Sequence, residues 1–167
     1  EAKTHTGARR GERITVMSTG IGTENIDIVM NELDALVNID LDKKEFKKEH
    51  TALQLFRLGT CGSVNPDVEV DNMLVSENVV GLDGLLHFYI DYDFENEFSK
   101  NFLEKFPYEK IKPLLYFSEW TASQYEYFKD AKYVGNTATF PGFYAPQGRQ
   151  LRLKSADDQF LEVLNDL

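Results

Sequence analysis

The sequence predicts a single α/β domain, and three observations carry that prediction. A β-branched run, a glycine turn and a helix-period run follow one another within residues 13–37, which is the order strand, turn, helix. Further apolar runs return after it, each broken by glycine, as a βαβ arrangement requires. Those runs are nearly continuous rather than alternating, which suits strands of a sheet covered on both faces. With 167 residues the chain is long enough for one sizeable core and short for two.

The first strand is expected in "RITVMST", Arg13 to Thr19, and "GIGTEN" then turns the chain. Ile26, Val29, Met30, Leu33 and Leu36 or Val37 recur at helical spacing, with Thr23 as the expected N-cap and Glu24 and Asp27 near the positive end of the helix dipole. A lysine-rich connection, "DKKEFKKEH", leads to a second expected strand in "LQLFRLGT", which breaks at "GTCGSVNP". A third is expected in "DNMLVSENVVGLDG". In "FENEFSKNFLEKF", Phe94, Phe98, Phe102, Leu103 and Phe106 fall on one helical face, a stripe read as core. "AKYVGNTATF" returns as a strand and runs into "PGFYAPQGR", where Pro141, Gly142, Pro146 and Gly148 exclude a helix or a central strand. The last element, "SADDQFLEVLNDL", reads as a helix with Ser155 as N-cap, Asp157 and Asp158 in its first turn and an apolar stripe of Phe160, Leu161 and Leu164. Residue 1 is Glu and strand-like sequence begins almost at once, while the last helix stops at Leu167 without a closing Gly or Lys. Both ends therefore read as interior to a longer polypeptide, so that residues 1–167 form the central part of one domain.

Composition narrows the function. The net charge of −10, from 28 acidic and 18 basic residues, disfavours a nucleic-acid partner, because phosphate-backbone binding depends on clustered Lys and Arg. No segment approaches the roughly 18 uninterrupted apolar residues of a bilayer span, so no membrane partner is expected. Cys61 is the only cysteine, which excludes an intrachain disulfide and a cysteine-rich zinc site and fits a reducing, cytoplasmic setting. His5, His50 and His87 are too scattered for a metal-ligand pattern, and no metal is expected.

Three segments carry candidate chemistry, since ligands of open α/β sheets bind beyond the carboxyl ends of the strands. "STGIGTEN" offers Gly20 and Gly22 for a tight turn, but it lacks the third glycine of a dinucleotide fingerprint and also reads as a plain strand-to-helix turn. In "RLGTCGS", Arg57 sits within an apolar run two residues before Thr60. A guanidinium at the buried end of a strand needs a partner, either a phosphate held bidentately or a carboxylate. Thr60 adds a hydroxyl, and Gly59 and Gly62 let backbone N–H groups face the same point. Cys61 reads as a small buried apolar residue. In "FYAPQGR", Phe143 offers a ring face, Gln147 a donor and an acceptor, and Arg149 donors to a carbonyl. That set matches the O2, N3–H and O4 pattern of a pyrimidine edge; the alternative is an exposed turn.

Taken in order, these segments resemble the nucleoside phosphorylase-I family of purine and uridine phosphorylases, and "FYxxQxR" resembles its uracil-specific branch. The resemblance runs from "ITVMSTGIG" through "NELDAL", "FRLGTCGSVNPDVEV" and "VVGLDGLLHFY" to "GFYAPQGR". It implies a three-layer fold with a central mixed sheet flanked by helices, and a reversible phosphorolysis of uridine to uracil and ribose 1-phosphate with inversion at the anomeric carbon. By resemblance Arg57 and Thr60 bind phosphate, with Thr60 also near the ribose. Cys61 and Gly62 line the base pocket, and Phe143, Gln147 and Arg149 stack on and hydrogen-bond uracil. Arg57, Thr60 and Arg149 would then be the catalytic set, with inorganic phosphate as co-substrate and no cofactor. His87 and Phe88 match a segment used in subunit packing, which implies homodimers grouped into hexamers. The family's first phosphate loop would precede Glu1 and its Met-Glu ribose motif would follow Leu167, so residues 1–167 alone are expected to be inactive. A purine nucleoside phosphorylase or nucleosidase, and a non-catalytic nucleoside-binding or assembly module, are the competing readings.

Overall fold

The computed structural model describes residues 3–91, 93–156 and 160–166. The chain forms two compact units, Glu1–Gly59 and Thr60–Leu167.

The first unit opens with a hairpin of β1 (Thr4–Arg9) and β2 (Glu12–Met17), antiparallel with Arg9 opposite Glu12. Its two-residue turn places Arg10 at φ 52° and Gly11 at φ 85°, and left-handed backbone at both central positions is what matches a turn to the twist of its strands. A hydroxyl pair, Thr6 and Thr15 at 3.0 Å, bridges the strands. Helix α1 (Thr23–Asn38) follows, capped not by Thr23 as expected but by Gly22, which offers no side-chain acceptor. Gly22 has φ 101°, a backbone angle that Thr would adopt only under strain, so the cap position falls one residue earlier. A short hairpin of β3 (Ile39–Asp40) and β4 (Glu45–Phe46) closes α1, turning through Lys44 at φ 58°.

The strand expected in "LQLFRLGT" does not form. Residues 51–63 are neither helix nor strand, and Leu55, Phe56 and Leu58 are 47%, 65% and 82% exposed. An apolar run becomes a strand only where a neighbour accepts its N–H and C=O groups, and no described residue pairs with this one. The βαβ unit expected from β2, α1 and this run is accordingly absent among the described residues.

The second unit holds the sheet. β5 (Leu74–Gly81) is central, antiparallel to β6 (Tyr116–Glu119) and parallel to β7 (Tyr133–Thr139), giving a mixed sheet in the order β6-β5-β7. The pairing with β7 shifts between Ser76 and Val79, a bulge. Helix α2 (Glu97–Lys105) starts at a capping box, in which Asn96 accepts from the Ser99 N–H and Ser99 Oγ from the Asn96 N–H. Its aromatic face enters the core as expected: Phe102 and Phe106 are buried with Val80, Leu82, Leu115, Phe117 and Phe160, and Phe94, Phe98 and Leu103 pack against them. Phe102 stacks on Phe106 at 5.4 Å and meets Phe117 edge-on at 5.7 Å. Each such ring contributes about 1.5–3 kcal/mol by burial. Helix α4 (Phe160–Asn165) adds Phe160, edge-on to Phe106 at 5.5 Å and Phe140 at 5.9 Å. Of its expected stripe, Phe160 is buried and Leu164 half-buried, while Leu161 is 37% exposed; the first turn expected at Asp157 and Asp158 lies outside the described residues.

Opposite Val80, the face of β5 carrying Val75 and Val79 borders a shallow hollow shared with Gln124 and Phe128 of α3 (Ala122–Phe128). Helices thus lie on both sides of a mixed sheet, the α/β arrangement expected. The sequence reading missed β6 and α3, although Thr121 and Gln124 form a full capping box that "TASQ" encodes. Gly81 is demanded by packing: a Cβ there would stand 2.0 Å from Cζ of the Tyr116 ring, whose hydroxyl donates to Asp83. Among the described residues no helix is long and apolar enough to cross a membrane.

Candidate functional site

Arg57 belongs to the first unit; Thr60, Cys61, Gly62, Phe143, Gln147 and Arg149 belong to the second. Arg57 is exposed rather than set at the buried end of a strand, because the strand that would have buried it is not paired. The desolvation argument for an anion therefore does not operate on it. Its guanidinium instead curls back over Gly59, with Nη1 2.9 Å from where a Cβ would stand, and no described carboxylate pairs with it. A side chain at residue 59 would displace that guanidinium.

Thr60, Cys61 and Gly62 are exposed as well. Cys61 carries an exposed free thiol, which corrects its reading as a buried apolar residue. The chain regains hydrogen bonds directly afterwards. Ser63 Oγ donates to Asn65 O at 2.8 Å and accepts from Asn65 N at 3.1 Å, and the Asp67 N–H donates to Asn65 Oδ1 at 2.8 Å.

The loop after β7 is built by its own sequence. Ala145–Gln147 form one 3₁₀ turn with Pro146 inside it, and Gly148 leaves it at φ 67°. The Tyr144 carbonyl accepts from both Gln147 N and Arg149 N at 2.9 Å, and Ala145 O accepts from Gly148 N at 3.1 Å. One N–H of the half-buried Gln147 amide donates to Gly142 O at 3.0 Å, which fixes the orientation of its Oε1. The rings of Phe143 and Tyr144 are 55% and 59% exposed. The loop therefore presents a ring face, an oriented amide and a guanidinium without a described carboxylate partner.

The structure brings two of the predicted segments together. Nη2 of Arg149 lies 3.5 Å from where a Cβ on Gly62 would stand, so the guanidinium rests against the "TCG" turn. A contact of this kind was not readable from either segment, which lie 87 positions apart by subtraction of residue numbers. Leu161 was also missed: its Cγ stands 2.6 Å from where a Cβ on Gly148 would be, so α4 closes over the loop at its glycine. Spacing in the helix could not reveal that partner.

A separate polar hollow lies at the N-terminus of α2, with Glu77, Asn78, Glu119 and Asn136 in its wall. Its amides are engaged with one another, Asn96 Nδ2 donating to Asn78 Oδ1 at 3.1 Å and to Glu119 Oε2 at 2.9 Å. None of the predicted site residues lines it. Among the described residues no group of three or more His, Cys, Asp or Glu could hold a metal ion.

The sequence model of the phosphorylase superfamily matches residues 1–157. A DeoD-type purine nucleoside phosphorylase from Lactococcus lactis subsp. cremoris is 31% identical over 101 residues, 60% of this chain and 38% of that protein. A uridine phosphorylase from Thermococcus kodakarensis is 26% identical over 149 residues, 89% of this chain and 43% of that protein. Among solved structures, the Trypanosoma brucei nucleoside phosphorylase, described as showing uridine phosphorylase activity, superimposes with a TM-score of 0.73 at 24% identity. That superposition covers 100% of this chain and 62% of the other. The chain thus spans about two fifths of the length of these two curated relatives. It belongs to the phosphorylase superfamily.

Proposed function

We propose that this chain is the central part of an enzyme that cleaves uridine reversibly with inorganic phosphate, giving uracil and ribose 1-phosphate. The observation that carries the reading is the loop after β7, where Phe143, an oriented Gln147 amide and Arg149 are displayed together and Arg149 rests against Gly62. Phe143 stacks on the base. Gln147 and Arg149 meet its carbonyl and N–H edge, with Cys61 and Gly62 beside it. As the glycosidic bond loosens, the sugar becomes oxocarbenium-like and negative charge moves onto the uracil carbonyls. Arg149 stabilises that charge as it develops, which lowers the barrier rather than merely tightening binding. Arg57 and Thr60 hold phosphate beneath C1′, Thr60 also touching the ribose, and their contribution is positioning and electrostatics. Phosphate is the co-substrate, and no metal or organic cofactor takes part.

The enzyme acts as a cytoplasmic homo-oligomer in pyrimidine salvage. The segment "GLLHFY", residues 84–89, whose Phe88 and Tyr89 are 87% and 56% exposed, is where its subunits meet. A second reading, purine phosphorolysis, draws on the purine-specific relatives.

The discriminating experiment follows phosphorolysis of uridine and of inosine by the protein expressed from its whole reading frame. Uridine is expected to be the better substrate by kcat/KM. A preference for inosine transfers the loop to a purine and overturns the uracil reading. Sedimentation at tens of micromolar is expected to give a dimer or larger; a fully active monomer contradicts the assembly.

A further inference from the structure

The loop after β7 takes its shape from within and its place from outside. Every hydrogen bond that residues 142–149 make to a described residue ends inside the same stretch: Gln147 N and Arg149 N on Tyr144 O, Gly148 N on Ala145 O, and the Gln147 amide on Gly142 O. Bonds of that kind fix how the loop is folded but not where it sits on the sheet. Two apolar contacts from α4 bear on its seat. The Phe160 ring meets Phe140, two residues before Gly142, edge-on at 5.9 Å. The Leu161 side chain covers Gly148 near the other end, with Cγ, Cδ1 and Cδ2 at 2.6, 3.1 and 3.4 Å from where a Cβ would stand. Consecutive helix residues point about 100° apart, so a single turn of α4 reaches both ends of the loop.

Helix α4 is itself anchored, which makes Leu161 a fixed stop. Phe160 is buried edge-on to Phe106 at 5.5 Å and Tyr108 at 5.4 Å, and at the other end of the helix Lys105 Nζ of α2 donates to Asp166 O at 3.0 Å. Gly148 stands between Gln147 and Arg149, the two residues proposed to meet the base edge, so a displacement at Gly148 carries both with it. A leucine 37% exposed adds less to the core than the buried rings beside it, and what it touches instead is the loop. We infer that Leu161 is a positioning residue for base recognition: by seating the loop at Gly148 it sets where Gln147 and Arg149 meet the base. A misplacement of about 1 Å is enough to cost a binding group much of its effect, and a group held before its ligand arrives need not be ordered on binding. This inference rests on the reading of Gln147 and Arg149 as base-binding residues.

The test uses the protein expressed from its whole reading frame and compares Leu161→Ala with Leu164→Ala, since Leu164 packs against the core from the same helix. Leu161→Ala is expected to raise the uridine KM about tenfold and to keep the phosphate KM within about twofold. The Gln147 and Arg149 amides should keep their hydrogen-exchange rates, because their acceptor, Tyr144 O, moves with them. Leu164→Ala is expected to lower the unfolding temperature at least as much and to leave the uridine KM unchanged. Leu161→Val serves if the alanine variant fails to fold, with a rise in uridine KM of about threefold expected. In the double variant Gly148→Ala, Leu161→Ala the new methyl no longer meets Leu161, so the rise in uridine KM should fall short of the product of the two single rises. An unchanged uridine KM in Leu161→Ala and Leu161→Val, equal rises in Leu161→Ala and Leu164→Ala, faster exchange of the two amides, or a double variant whose rise equals the product overturns the inference and leaves the uracil reading in place. If the parent prefers inosine and Leu161→Ala raises the inosine KM, the inference stands and the uracil reading falls. If the parent binds no nucleoside, both fall.

Discussion

The two segments that carry the proposed substrate contacts are held in opposite ways. In the loop after β7, four hydrogen bonds and a left-handed glycine lie within eight residues, from Gly142 to Arg149. The run 52–62 has no backbone bond to any described residue and is flanked by side-chain contacts, Asn38 on Thr51 and Ser63 on Asn65. The conformation of the segment with the proposed base contacts is thus set locally, in a short stretch whose prolines and glycines leave few other conformations. The start of the segment with the proposed phosphate contacts is instead held from a distance, by an amide 13 positions before the residue it bonds, Thr51.

The sharpest way to break this comparison is to remove the charged end of each segment in turn, in the protein expressed from its whole reading frame. Arg149→Ala is expected to lower uridine turnover a hundredfold or more, about 3 kcal/mol, with phosphate affinity nearly unchanged, as read by steady-state kinetics and phosphate titration. Gln147→Ala is expected to cost less, because a neutral amide stabilises a departing anion less than a cation does. Arg57→Ala should weaken phosphate binding; an unchanged titration removes Arg57 from the site.

A smaller effect is expected from Gly148→Ala. Its φ of 67° disfavours a Cβ, and the new methyl would meet Leu161, so thermal unfolding should report a loss of about 2 kcal/mol and the uridine KM should rise with it. If uridine KM does not move, the glycine serves stability and not the loop. Phe143→Ala is expected to weaken nucleoside binding by about 1–3 kcal/mol through lost stacking, with no change in phosphate KM. The smallest signal is in hydrogen exchange of the chain itself. Amides of Gln147, Gly148 and Arg149 should exchange more slowly than those of residues 53–62, and equal rates would erase the contrast.

The same contrast governs how much could be read beforehand. Periodicity located β2, α1, β5, α2 and β7, each long enough to show a period; the Phe98, Phe102 and Phe106 stripe, which enters the core, is the clearest case. The loop residues were legible from side-chain type alone. The strand in "LQLFRLGT" was misread because hydrophobicity reports a demand for burial but not the partner that meets it. Exposure of Arg57 and Cys61 follows from the same error. β6 was missed as a four-residue strand, too short for alternation to stand out. The contacts of Asn38 with Thr51, Arg149 with Gly62 and Leu161 with Gly148 depend on where the chain returns, which no local pattern records.

The central strand also sets a timetable. β5 is complete at Gly81, yet its partners begin at Tyr116 and Tyr133, so its parallel edge closes only after about 60 further residues have been made. At translation rates of roughly 5–20 residues per second, that interval is on the order of 3–12 s. Both edges of "LVSENVVG" are without their partners until β6 is made, and the parallel edge stays open through the whole interval; such edges seek other strands when their own are late. Yield during synthesis should therefore respond to translation speed between residues 82 and 139, and to chaperones that shield nascent strands, more than to the stability of the finished sheet.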